Sequence, residues 1–186
     1  YYRHVLDGHE KAELMPWASG LPETEDFFRN LFYGLEYESE LDRLAQVDMK
    51  YFFIGDLMQK NDRMFMINSV EARFPFMDRK AVEFFTTIPS RYKIRGLTRR
   101  YIEKRAMARV LPPRVRKRQN FGIELPYSKW FGSRLLTMGN EYFKPERVDR
   151  TGVLSSRFVA RLWQDHLARK RDNGRTLWCI LNFIIW

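Results

Sequence analysis

Apolar residues recur at three- and four-residue steps along almost the whole chain, with polar and charged residues between them. That period predicts amphipathic helices. Residues 4–15 fit a short helix, and Pro16, Gly20 and Pro22 a loop. Thr24 reads as the cap of a helix to about Tyr33, with Glu25 and Asp26 in its first turn, where the helix dipole favours acids. Ser39 opens a long helix along Leu41, Leu44, Val47, Tyr51, Ile54, Leu57 and Met58, ending near residues 60–62. A short helical turn over 69–73 precedes Pro75, and Asp78 caps a helix carrying Val82, Phe84, Phe85 and Ile88. Residues 91–96 read as a basic connector, and Thr98 as the cap of a helix to about Val110. Pro112 and Pro113 stop that helix, and Gly122 and Pro126 mark a loop before a helix capped by Ser128. Ser155 or Ser156 caps a helix through Arg169, with Phe158, Val159, Leu162, Trp163 and His166 along one side. Asn173-Gly174 breaks the chain, and 176–186 reads as a buried terminal helix, apolar all round. No stretch alternates with the strand period for more than two or three residues. The expected fold is all-α, a bundle of about seven helices in a single domain.

Composition narrows the class. The chain has 186 residues, 45% apolar and 30% charged, which suits a domain with a sizeable core and excludes both disorder and a membrane span. The lone Cys179 rules out an internal disulfide and fits a reducing cytoplasm. Three His and one Cys, far apart, offer no metal-ligand spacing. Net charge is +10, and the window 91–118 alone holds twelve Lys or Arg against one acid, Glu103. A local excess of that kind points to an anionic partner: nucleotide phosphates, nucleic acid or an acidic neighbouring domain. A solvated basic face is the alternative. The window carries no recognised nucleic-acid motif, and Tyr92, Tyr101 and Phe121 are too sparse for a base-stacking platform, which argues against nucleic acid.

The most informative stretch is 56–78, DLMQKNDRMFMINSVEARFPFMD. Asp62, Arg63, Glu71, Arg73 and Asp78 lie among Met58, Phe65, Met66, Val70, Phe74 and Phe76. Charges go inside only when paired, because an unpaired buried charge costs several kcal/mol. An internal ion-pair network, or the wall of a polar cleft, is therefore expected; solvated charges on a capped core helix are the alternative.

The stretch resembles the signature of the asparagine synthetase family, D-L-L-x-K-x-D-R-x-S-M-A-x-S-L-E-x-R-x-P-F-L-D. Asp56, Leu57, Lys60, Asp62, Arg63, Met66, Ser69, Glu71, Arg73, Pro75, Phe76 and Asp78 stand at the same offsets. Two later stretches continue the resemblance. Arg100 and Lys104 take the places of the family's K-x-x-x-R with the types exchanged. Leu111, Pro112, Val115, Arg118, Gly122, Pro126 and Trp130 follow its L-P-x-x-I-x-x-R-x-K-x-G-F-x-x-P-x-x-x-W frame. The tail, with Gly152, His166, Trp178 and Trp186, is similar to the family's closing helices. The similarity runs from about Asp42 to Trp186, some three quarters of the chain.

The resemblance implies the carboxy-terminal half of a PP-loop ATPase-like synthetase domain. In such enzymes ATP, with Mg, adenylates a carboxylate such as aspartate, and ammonia from glutamine displaces AMP to form the amide. It places Glu71 and Arg73 among the catalytic residues, and Asp62, Arg63, Arg100, Lys104, Lys117 and Arg118 on the nucleotide side. Two departures stand out. The family's Lys in R-x-K-x-G-F falls on Asn120, and its Phe on Ile123. The family's nucleotide-gripping S-G-G-x-D-S loop and its glutaminase domain with a nucleophilic Cys are absent from these residues, so ATP is expected to bind mainly elsewhere. The chain alone is expected to be inactive. It is either a carboxy-terminal piece of such an enzyme or a relative that has lost the chemistry. An amide formed on a peptide, an antibiotic precursor or a sugar is a variant of the same reading, and a basic nucleic-acid-binding module is the alternative.

Overall fold

A computed structural model describes residues 5–118 and 125–186. Among these the only sheet is a two-stranded hairpin, so the all-α class holds, in more and shorter pieces than the periodicity predicts. The chain forms two compact units, Tyr1–Thr24 with Gly122–Trp186, and Glu25–Phe121.

The first unit holds the core. It comprises α1 (Gly8–Leu14), α9 (Tyr127–Phe131), α10 (Leu136–Tyr142), α11 (Pro145–Asp149), α12 (Ser156–Leu167) and α13 (Gly174–Ile185). Asp7 and Glu10 close a capping box that starts α1. The Ser155 hydroxyl accepts from Phe158 N–H at 3.3 Å and so starts α12. Phe158, Val159, Leu162, Trp163 and His166 are the buried side of α12, as their spacing predicts. They pack with Phe131, Phe143, Val148, Leu177, Ile180 and Leu181 into one cluster. α1 is tied in by Ser155 N–H on Leu14 C=O at 2.8 Å and by Arg161 on Glu13 at 2.6 Å.

Two close approaches in this unit depend on glycine. A Cβ on Gly139 would lie 2.6 Å from the Trp163 ring, and one on Gly174 would lie 2.7 Å from both the backbone nitrogen and the hydroxyl of Ser128. The Asn173-Gly174 pair, which reads as a simple break, is thus a tight seat for the start of α9. The terminal helix is not buried all round: Leu177, Ile180 and Leu181 point inward, while Phe183, Ile185 and Trp186 are exposed.

The second unit is built differently. It comprises α2 (Thr24–Tyr33), α3 (Glu40–Val47), a π-helical stretch Asp48–Met58, α4 (Gln59–Ile67), α5 (Arg79–Thr87), α6 (Ser90–Lys93), the strands β1 (Ile94–Arg95) and β2 (Thr98–Arg99), α7 (Tyr101–Ala106) and α8 (Pro113–Lys117). The long helix expected from Ser39 does run on, through α3, the π-helical stretch and α4, to Ile67 rather than to 60–62. In its middle the hydrogen bonds reach five residues back, so the apolar positions leave the 3.6-residue stripe. Phe27, Phe28 and Tyr51 meet edge to face at 5.3 to 5.6 Å and hold α2 to that stretch. Lys93 pairs with Asp42 at 2.6 Å and joins α6 to α3. Thr98 and Arg99 pair with Ile94 and Arg95 instead of opening a helix, because Gly96 at φ +56° turns the chain back. None of the described residues of this unit is buried, and Leu44, Ile54, Phe65, Ile67, Phe76 and Phe84 are among its exposed apolar side chains.

Candidate functional site

The 56–78 stretch is shaped by two helix ends. Lys60 reaches back one turn to Asp56 at 3.5 Å on the exposed side. α4 then stops in a Schellman turn: Ser69 N–H donates to Met66 C=O at 2.9 Å and Val70 N–H to Phe65 C=O at 3.0 Å. Ser69 takes the left-handed conformation, φ +55°, that such a turn requires. Asn68 seals the end by donating from its side-chain amide to Met64 C=O at 2.9 Å. Residues 70–74 are then irregular, where a helical turn was expected, and Phe74 is extended ahead of Pro75. Pro75–Met77 makes a single 3₁₀ turn, and Asp78 caps α5 by accepting from Lys80 and Ala81 N–H at 3.0 and 3.4 Å, as the sequence predicts.

A left-handed L-residue costs about 1–2 kcal/mol relative to the right-handed region, and glycine largely escapes that cost. Ser69→Gly is therefore expected to raise the stability of the second unit by about 0.5–1 kcal/mol, read from a urea melt. Loss of stability instead would show that the Ser69 side chain holds the turn.

The stretch does not form an internal charge network. Glu71 and Arg73 pair with each other at 2.5 Å, but their side chains are 67% and 81% exposed. An ion pair in that setting contributes about 0–1 kcal/mol. Asp62 and Arg63, on α4, are also exposed, and among the described residues no ion pair joins either of them to Glu71 or Arg73. Four of the apolar neighbours that suggested an interior, Phe65, Met66, Val70 and Phe76, are themselves exposed, and Met58 and Phe74 are only half-buried. The interior reading therefore gives way to one of solvated charges. Mixed charge and apolar surface marks an interior only where something covers it, and none of the described residues of this unit does.

The basic window is dispersed over several short elements. Arg100, left-handed at φ +55°, precedes α7 and pairs with Glu103 at 3.6 Å. Lys104 is half-buried on α7, and Lys117, at the end of α8, and Arg118 are exposed. Arg95 donates to the Tyr101 hydroxyl at 2.6 Å and lies over its ring. Asn120 lies outside the described residues.

What the second unit does form is a shallow, largely apolar cleft of about 270 Å³. Phe76 and Met77 of the signature line it with Met49, Val82 and Phe85, and the Asp42–Lys93 pair stands at its edge. Sequence reading missed that pair because its members lie 51 positions apart, so no helical spacing relates them. Among the described residues no cluster of His, Cys, Asp or Glu could hold a metal, and no helix is long and apolar enough to cross a membrane.

Comparison with known proteins agrees with the resemblance seen in the 56–78 stretch. The chain is 29% identical over 182 residues to asparagine synthetase [glutamine-hydrolyzing] 1 of Bacillus subtilis, an alignment that covers 98% of the chain and 28% of that protein. It is 29% identical over 103 residues to asparagine synthetase [glutamine-hydrolyzing] 3 of the same organism, covering 55% of the chain and 16% of that protein. No solved structure matches it significantly. The chain thus spans little more than a quarter of the length of the first of these relatives. The family model described as asparagine synthase matches residues 4–186, through both units and the whole signature, and the chain belongs to the asparagine synthase family, in the carboxy-terminal part of its PP-loop ATPase-like synthetase domain.

Proposed function

We propose that the chain supplies the helical part of the synthetase domain of an ATP-dependent amidotransferase, and that both units belong to that one domain. In this reading a carboxylate such as aspartate is activated as its adenylate, and glutamine-derived ammonia displaces AMP to give asparagine. The observation that carries it is the second unit's surface. Asp62, Arg63, Glu71 and Arg73 stand in the same stretch as exposed Met64, Phe65, Met66 and Ile67, in a unit with no buried residue among those described. Apolar surface of that extent marks an interface. The part that covers it is the nucleotide-binding portion of the same domain, which the relatives have room for and this chain does not span.

Once covered, Glu71 and Arg73 leave water as a pair, so that neither is stranded as a lone buried charge. They then present a fixed negative and a fixed positive charge toward the activated carboxylate, with Asp62 and Arg63 extending the same wall. Arg100, Lys104, Lys117 and Arg118 provide positive charge for the polyphosphate of ATP, where charge-assisted contacts are strongest. Mg bound with ATP would screen the phosphate charge; its ligands lie chiefly outside these residues. The cytoplasm, where ATP, aspartate and glutamine meet, is the compartment this chemistry needs.

Given ATP, Mg, aspartate and ammonia, the isolated 186-residue chain is expected to release no pyrophosphate. Release above a no-enzyme control would mean that the exposed surface is already a complete active site, and would overturn the need for a covering part.

A further inference from the structure

The first unit contains a cavity of about 620 Å³ beneath the turn that joins α12 to α13, bounded on its other side by α9 and α10. The signature residues take no part in it. Ser128, Lys129, His166, Arg169 and Asp172 are its polar lining. His166 is the key group. Its side chain is only 7% exposed, stacked on Trp163 and edge-on to Phe131. Asn173 N–H donates to its Nδ1 at 3.2 Å, so that nitrogen carries a lone pair and the proton of the neutral ring sits on Nε2. Asn173 is itself buried and pinned by its amide on Leu162 C=O at 2.9 Å, which fixes the ring's orientation. Nε2–H has no hydrogen-bond partner among the described residues, and the ring lines the cavity. Among the described residues no buried side-chain donor lacks a partner, so Nε2–H is reached from the cavity, where water or a ligand can accept from it.

The Ser128, His166 and Asp172 trio is not a nucleophilic relay. The Ser128 hydroxyl donates to Asp172 Oδ1 and not to the imidazole, and the His166 nitrogen nearest the carboxylate, at 3.8 Å, already accepts from the backbone. No imidazole among the described residues faces Ser128, whose hydroxyl meets the Asp172 carboxylate instead. Asp172 is instead a structural anion. Donation from Ser128, then from Gly174 N–H at 3.0 Å, holds its carboxyl below the usual carboxylate range. Two cations on the lining, Lys129 and Arg169, have no ion-pair partner among the described residues, whereas Arg171 is taken by Glu10. The lining therefore carries more positive than negative charge, with its one carboxylate already occupied by donors. The volume falls in the range of small-molecule sites.

We propose that this cavity is a second ligand site, for a small anion carrying a phosphate or carboxylate group that accepts from His166 Nε2–H and is flanked by Lys129 and Arg169. Exposed cationic donors around an imidazole N–H that opens into the cavity match that chemistry. The site rests on the first unit alone and does not depend on the amidotransferase reading.

The test is a ring ¹H–¹⁵N spectrum of the full chain labelled at its three His, with His166 assigned by His166→Gln. Inorganic phosphate and, separately, citrate are titrated at fixed pH and at ionic strength held with sodium chloride. The Nε2 signal of His166 is expected to shift saturably with one of the two, and Lys129→Met, an exposed substitution, is expected to weaken that binding about tenfold without changing the urea midpoint. Saturation with phosphate alone assigns a phosphate ligand, and with citrate alone a carboxylate ligand. A shift that sodium chloride reproduces, or one that Lys129→Met leaves unchanged, overturns the proposal.

Discussion

Trp163→Ala is expected to destabilise the first unit by about 3–5 kcal/mol, lowering its urea midpoint and its helical circular dichroism together. Trp163 is buried, with its ring 5.8 Å from Phe131 and 5.3 Å from Phe143, and its Nε1–H donates to the Asn140 side chain at 3.1 Å. Truncation removes the largest side chain of the cluster and the hydrogen bond to Asn140, whose exposed side chain water can satisfy. Gly139 gives the same contact a second readout. Gly139→Ala should cost about 1–3 kcal/mol, because its methyl would come 2.6 Å from the indole and the ring has little room to move. In the Trp163→Ala background that obstacle is gone and the methyl meets free space. A coupling of about 0.5–3 kcal/mol between the two substitutions is therefore expected, and additivity would contradict the packing described.

The second large effect concerns position 120. The resemblance implies a Lys there, and this chain has Asn120. An Asn supplies no positive charge to a phosphate or a developing oxyanion, and loss of such a contact costs roughly 3 kcal/mol, on the order of a hundredfold in rate. Asn120→Lys, placed in the longest natural form of the protein, is expected to raise asparagine formation by about that factor. Unchanged turnover would mean that Lys117, Arg118 or another group already fills the role, or that the substrate does not need it. Arg118 is a poor substitute as an acid, since its guanidinium keeps its proton at neutral pH.

The sequence and the structure agree best where a local rule decides the outcome. Asp78 caps α5 and Ser155 caps α12, because short polar side chains meet free N–H groups there whatever surrounds them. The inward side of α12 follows from spacing alone, since its unit has a core to bury it in. The departures arise where tertiary context decides. Ser69 and Arg100 adopt left-handed conformations that their side chains do not announce, so one expected helical turn is lost and one helix starts late. The hairpin at Gly96 is too short for alternation to register.

The candidate site was legible as letters and not as geometry. The twelve matching positions of 56–78 gave the family, which the match over 4–186 bears out. They also suggested an interior, and Glu71 and Arg73 stand in solvent. A pattern of charge among apolar residues is shared by a core with paired ions and by a surface built to be covered, and only coordinates tell them apart. His166 reads as a packed core residue, and it is buried; what spacing cannot show is that its Nδ1 is spoken for and its Nε2 is left over.

The covering of the second unit can be tested through its exposed Glu71–Arg73 pair. In the longest natural form of the protein, aspartate-dependent exchange of pyrophosphate into ATP should be measurable. Glu71→Gln and Arg73→Met should each lower it by about tenfold or more, a loss of at least about 1.4 kcal/mol in transition-state stabilisation. Exchange that proceeds at full rate in both variants, or that is missing with aspartate altogether, would contradict the placement of this stretch in a carboxylate-activating site.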